Sequence, residues 1–599
     1  MEQQADRIQS VYYASRLLRS LQEQKRIKRS RLSLPKDCSD PKLERFCAHL
    51  VTCFARSDSE KDAVAVVPGP VMAHEEISAI VVTHSLLSTP GQSSSIVDMG
   101  FSQTLRNDRT QIERGCRILE ALLDRSDGHI ERPVDLVSYL NQLLGFLTAL
   151  IRLPSLPHPR SSLFAQWIVV QCLPKITTRV RCILAWYGDW SRILNWTPTK
   201  KAMRTRERRI PLAQDGPLSK MLETDKIEWK QSEARKWVAK IYAMFTDVKD
   251  LVSQVRSEGL SVPSEYVKRL DRSLLALMML LKALEPCLME LDSFNDAVHA
   301  QIAQKEKPDI DLDIWLIDMG NSDLLSDGRD ERRVAPIHPD FPPPPRGLVP
   351  ISVSSRHMFT MFENVFEPDT RIALTVVTPP RSPVEQLAIE KPVNANEPSV
   401  DADDLVRRWQ KSTDWDQKSV GTAKRLLHSI CQESEHHLQG RVHCEAAALA
   451  SSLLCVQRET LHASVPEPEC MKSAFEVFDY THFPTTDTIP ISLSTACCAL
   501  CRILSHELGA HYKPARTARP PAFSLLGYAN ETQSDWVMPH WLPDKIAADL
   551  ERKVVAQLRQ ALADYQEPLQ AMVEPESDVD VDAEFGLEDL KAWYKSSKR

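Results

Sequence analysis

Apolar residues return at spacings of three and four over most of the first 317 positions, as in Arg114–Leu123, Val134–Leu153, Leu163–Leu173, Glu233–Val255 and Tyr266–Leu291. That period places one apolar stripe along each helix, and the stripe has to be buried against another element. No segment resembles another at a fixed period, so stacked repeats are not expected and a bundle or irregular helical domain is. Glycine, at 17 of 599 residues, is well below its usual share of about 7%. Its scarcity favours long helices over glycine-rich sheet turns.

A chain of 599 residues exceeds what one core usually serves, and two or three domains are expected. The helical pattern gives out near residue 320. Residues 321–347 are polar and proline-rich, with Asp340-Phe341-Pro342-Pro343-Pro344-Pro345, a run that cannot continue a helix and reads as an extended linker. The expected division is a helical domain over 1–320, the linker, a second domain over 348–570 and an acidic tail over 571–599. Within the second domain Arg371–Val377 reads as a strand, and a further proline-rich stretch follows from Thr378 to Pro398. The tail, with Glu574, Glu576, Asp578, Asp580 and Asp582, is expected to lack a fixed fold.

A net charge of −7 offers no general attraction for nucleic acid, so a polynucleotide would need a local basic patch. Two clusters qualify: Lys25, Arg26, Lys28, Arg29 and Arg31, then Lys200, Lys201, Arg204, Arg206, Arg208 and Arg209. Each also fits a solvated face. Ser273–Leu281, the longest apolar run, is too short to span a bilayer, and no membrane association is expected. Met1–Arg19 reads as an amphipathic, charged helix and not an export signal. The chain is therefore expected inside the cell, cytoplasmic or nuclear, with its 14 cysteines reduced as core thiols or metal ligands. Seven of them fall between Cys431 and Cys501.

Within that cluster, Gly440-Arg441-Val442-His443-Cys444-Glu445 runs directly into an alanine- and leucine-rich helix, Ala446–Leu454. Further on, Ile489, Ile491 and Leu493 alternate as a strand requires. They lead to Ser494-Thr495-Ala496-Cys497-Cys498-Ala499-Leu500-Cys501 and a helix with Leu500, Leu504 and Leu508 on one stripe, where Gly509 is placed to end it. Cys498 and Cys501, three apart in a helix's first turn, point to the same side, and the positive helix end favours their thiolates. His443 supplies a third ligand from another helix start. Three protein ligands plus water is the arrangement of a catalytic zinc. Glu445 can then stand beside the water without binding the metal, where a proton shuttle belongs.

Neither half is informative alone, since His74/Glu76 and His129/Glu131 repeat the His-x-Glu pattern. Order and context carry the reading: a helix after one half, strand then helix around the other. Buried, metal-free thiols are the alternative, and Cys497 could replace Cys498 if the helix begins earlier. Cys444 has no evident partner. His506-Glu507-Leu508-Gly509-Ala510-His511 is not a metalloprotease motif, because its histidines are five apart and that site needs four.

These residues resemble the signature of the zinc-dependent deaminases of cytosine or adenine bases, His-x-Glu followed by Pro-Cys-x-x-Cys. More narrowly they are similar to a divergent, largely fungal branch in which a Cys-Cys-x-x-Cys helix start follows an Ile-x-Val-Ser-type strand. In that branch a downstream aromatic–proline segment, here Trp536-Val537-Met538-Pro539-His540-Trp541-Leu542-Pro543, closes the pattern. The family proline before the first cysteine is replaced by Ala496-Cys497.

The resemblance spans Gly347–Pro543 at most and does not touch the helical half. It implies an α+β chain whose C-terminal domain is a three-layer α/β/α cytidine-deaminase-like fold, a mixed sheet with helices on both faces. It also implies a bound zinc, a nucleobase-containing substrate (free nucleoside, nucleotide or single-stranded nucleic acid), and Glu445 as proton shuttle. Trp536 and Trp541 are the candidates for a stacking wall at the substrate pocket. Two other outcomes stay open: an inactive zinc-binding module in a helical interaction protein, and a helical scaffold with no zinc.

Overall fold

Six strands form one mixed sheet at the centre of the protein, seen in a computed structural model. The structure describes residues 2–25, 41–56, 63–69, 76–83, 100–123, 128–133, 135–153, 156–178, 180, 207–212, 216–230, 233–288, 350–365, 370–379, 401–433, 442–456, 469–476, 488–493, 498–511, 522–526 and 536–571. In chain order the strands are β1 (Val64–Pro68), β2 (Glu76–Thr83), β3 (Phe101–Arg106), β4 (Arg371–Thr378), β5 (Thr488–Leu493) and β6 (Ala522–Leu526). Across the sheet they lie in the order β6-β5-β1-β2-β4-β3. β1 is antiparallel to both neighbours, with Val66 opposite Val81 of β2 and Ser492 of β5. β6 runs parallel to β5 and β4 parallel to β2, while β3 closes the far edge antiparallel to β4.

This order corrects the expected domain division. β1 and β2, from the stretch read as purely helical, sit between β5 and β4, from beyond residue 348. The central layer is thus shared by both halves, and 1–320 is not a helical unit separate from 348–570. The linker over 321–347, the proline-rich stretch past Pro379 and the acidic tail past Ala571 lie outside the described residues.

Because successive strand residues face opposite sides, an unbroken run such as Val64-Ala65-Val66-Val67 needs cover on both. Val64, Val66, Ala79, Val81, Leu374 and Val376 enter one core, while Ala65, Val67, Ile80, Val82, Ile489 and Ile491 enter the other. α1 (Glu2–Lys25) belongs to the second core. The first is built by α2 (Pro41–Phe54), α3 (Arg109–Leu123), α4 (Leu136–Arg152), α5 (Arg160–Gln171), α6 (Ala234–Ser257), α7 (Ser264–Leu288) and α8 (Pro350–Val365). α9 (Ala402–Ser412), α10 (Gln417–Glu433), α11 (Cys444–Val456), α12 (Ala499–His511) and α13 (Asp544–Ala571) return to the second. The protein is therefore α+β, with helices on both faces of a mixed sheet. The five helical segments read from spacing fall on α3 to α7. No helix among the described residues is long and apolar enough to cross a membrane.

α1 departs from the amphipathic helix expected of it. Ile8, Val11, Tyr12, Tyr13, Ala14, Leu17, Leu18 and Leu21 are all buried, as are Ser10 and Ser15. The helix is wedged against α13 and α10. The Trp409 indole donates to Ser10 Oγ at 2.8 Å, and the Gln4 amide donates to the carbonyls of His540 and Leu542. Of the basic clusters, Arg208 and Arg209 lie on a short ribbon, Glu207–Pro211 paired with Lys226–Lys230. Lys25 ends α1, and the other members lie outside the described residues.

α3 and α4 approach through glycine. A Cβ on Gly115 would fall 2.1 Å from the Gly145 carbonyl oxygen, and one on Gly145 would fall 2.0 Å from that of Gln111. Backbone cannot yield as a side chain can. Gly115→Ala is expected to destabilise the chain by about 1–3 kcal/mol, seen as a lower urea midpoint at unchanged slope. An unchanged midpoint would mean the helices are free to part there.

Candidate metal centre

α11 and α12 bring the predicted site residues together at their N-termini. Ala446, Ala447, Ala448 and Ala450 of α11 are fully buried, and their small side chains let the helix lie close over β1, β2, β5 and β6 and against α12. The His443 carbonyl accepts the Ala447 N–H at 2.9 Å, and the Cys498 carbonyl accepts that of Arg502 at 3.1 Å. His443 and Cys498 are thus the residues that open the two helices, with Glu445 and Cys501 in the first turns. Residues 494–497 between β5 and α12, Cys497 included, lie outside the described residues. α12 runs two residues past Gly509, which therefore does not end it.

His443, Cys498 and Cys501 form a buried group whose ligand atoms all lie within 4.8 Å of one another. His443 Nδ1 is 3.7 Å from Cys501 Sγ. Tetrahedral coordination with metal–sulfur bonds near 2.3 Å and metal–nitrogen bonds near 2.0–2.1 Å separates N from S by about 3.6 Å and S from S by about 3.8 Å. One nitrogen and two sulfurs at these spacings, each within a turn of a helix N-terminus, fit a single metal ion. It is the one such group among the described residues.

Glu445 lies beside this group and outside it. One carboxylate oxygen is 3.6 Å from His443 Nδ1, and the other accepts the Cys444 thiol at 3.3 Å, giving Cys444 the partner that spacing did not suggest. Burial pulls the Glu445 pKa upward. The hydrogen bond and charge of His443, the backbone amide of Glu445 and the Cys444 thiol outweigh it together and hold the carboxyl at about 2. The four residues His443, Glu445, Cys498 and Cys501 are each no more than 5% exposed.

Trp536 reaches the centre itself: its indole Nε1 donates to Cys501 Sγ at 3.0 Å, and the ring is fully buried. Trp536 thus lies against one of the three candidate donor atoms, within the distance expected of a residue at this site. Trp541 is buried in the same core with the His540 ring edge-on at 4.9 Å, and its Nε1 has no hydrogen-bond partner among the described residues. Burial also lowers the His540 pKa, to about 4, so the ring is neutral near pH 7.

The remaining motifs stand apart. His506 is exposed, and Glu507 beneath it is paired with Lys553 of α13. His129 and Glu131 lie exposed on a short strand paired with Ser261–Pro263. An apolar cavity lined by Leu50, Phe54, Ala79, Leu144, Met358 and Ile372 belongs to the opposite face of the sheet. Comparison of the chain with family models, with curated proteins and with solved structures gives no match.

Proposed function

We propose that the protein is a zinc-dependent hydrolytic deaminase of a cytosine or adenine base, presented as nucleoside, nucleotide or single-stranded nucleic acid. The observation that carries this reading is the placement of Glu445: a buried carboxylate next to a His/Cys/Cys donor group but not one of its members. A structural metal has no use for such a group, and three protein donors leave one position open for chemistry. The mixed sheet with helices on both faces, and α12 starting just beyond β5, agree with the family resemblance.

His443, Cys498 and Cys501 would hold the ion. Zinc in such a site supplies Lewis acidity that brings the pKa of a water to about 7. With the ion bound, Glu445 would take a proton from the attacking water, pass it to the ring nitrogen, and help protonate the departing ammonia. Metal coordination takes the neutral imidazole.

The burial of all four residues favours a second reading, an inactive zinc-holding module of deaminase type within a protein that acts through partners. Two measurements on the purified chain separate the readings. About one zinc per chain is expected, with ammonia released from at least one of cytidine, adenosine, their nucleotides, single-stranded DNA and RNA. Full zinc with no ammonia from any of these would select the second reading, and no zinc would end both.

A further inference from the structure

We propose that Trp536 positions Cys501 for the metal, its indole N–H fixing the ligand sulfur and drawing charge from it. The inference rests on the metal reading of His443, Cys498 and Cys501, and it gives Trp536 a different task from that of a substrate wall.

An indole nitrogen is a donor only, and a buried indole seeks an acceptor. Here the acceptor is a sulfur 3.0 Å away, with His443 Nδ1 at 3.7 Å from the same atom. Cys501 Sγ is therefore approached by two nitrogens, both in a fully buried setting. Donation to an ionised acceptor is shorter and stronger than donation to a neutral one, so the bond gains most when Cys501 is a thiolate ligand. Partners of this kind orient a ligand and tune the metal it binds.

The arrangement is particular to Trp536. Trp541 has the same side chain, the same segment and the same full burial, yet its N–H has no hydrogen-bond partner among the described residues. Burial in this segment thus does not by itself deliver an indole N–H to an acceptor. The segment is also tied from outside the site, since Gln4 of α1 bonds the His540 and Leu542 carbonyls. The segment is thus anchored at His540 and Leu542, while Trp536 at its start meets Cys501.

The test uses the full chain with Trp536→Phe, which keeps an aromatic ring and removes the N–H. Zinc affinity, measured by competition with a chromophoric chelator, is expected to fall about 10–100-fold. In cobalt-loaded protein the thiolate-to-metal charge-transfer band is expected to move to lower energy, because the sulfur regains electron density. Trp541→Phe should leave both readouts unchanged. If Trp536→Phe does not fold, 3-benzothienylalanine at position 536, which replaces the N–H by sulfur in the same shape, takes its place. A folded variant with affinity within about twofold of the parent and an unmoved band overturns the inference while leaving the metal site standing. A parent chain that binds neither zinc nor cobalt overturns the metal reading and this inference with it.

Discussion

A Glu445→Gln chain is expected to keep about one zinc and to release ammonia roughly 10²–10⁴-fold more slowly than its parent. Glutamine matches the shape of glutamate and can still accept the Cys444 thiol that lies 3.3 Å from the carboxylate. It cannot take a proton from water and return it. The carboxylate lies outside the group of His443, Cys498 and Cys501, so the donor set survives the change. Cys501→Ala is the contrasting variant, expected to lose zinc and turnover together because it removes one of three donors. The pair of variants distinguishes a shuttle from a ligand. Zinc lost from Glu445→Gln would make Glu445 a ligand, and turnover retained would remove it from the chemistry.

The site was legible in the sequence because its evidence is local. His443 and Glu445 open one helix, Cys498 and Cys501 open another, and helix starts are marked within a few residues by composition and spacing. The alternating Ile489, Ile491 and Leu493 likewise announced β5, which begins at Thr488 and ends at Leu493. β1 left no such mark. Val64–Pro68 is a short, wholly apolar run buried on both faces, and an unalternating run of that length cannot be told from a piece of buried helix by period. Its pairing with β5, more than 400 positions away, has no local signature at all. The burial of α1 was hidden for a related reason. Its charged residues suggested one wet face, but the ring of contacts around it comes from α10 and α13, at the other end of the chain. Trp536 was singled out for its flat apolar ring, whereas its N–H is what meets Cys501.

The shared sheet leads to the second large effect: a chain limited to residues 348–571 is expected neither to fold nor to hold zinc. Without the N-terminal half, β5 loses its antiparallel neighbour β1, and β4 loses its parallel neighbour β2. α11, which opens with the Glu445 turn, rests on β1 and β2 and would face water across that surface. The second core would also lose Ile8, Val11, Tyr12, Leu17, Val67, Ile80 and Val82, all buried. At about 1.5–3 kcal/mol for each large apolar side chain, the loss is on the order of 10–20 kcal/mol, as large as the roughly 5–15 kcal/mol by which a native chain is ordinarily stable. Cutting the backbone is a different matter from deleting it. A protease site introduced between positions 321 and 347 and cleaved after folding should leave two fragments that elute together, retain zinc, and part only in denaturant. Circular dichroism, size exclusion and metal analysis of the cleaved chain and the short chain read both outcomes. A 348–571 chain that is folded, monomeric and zinc-loaded would show that β1 and β2 are dispensable to the site and that the two halves are separate folding units after all.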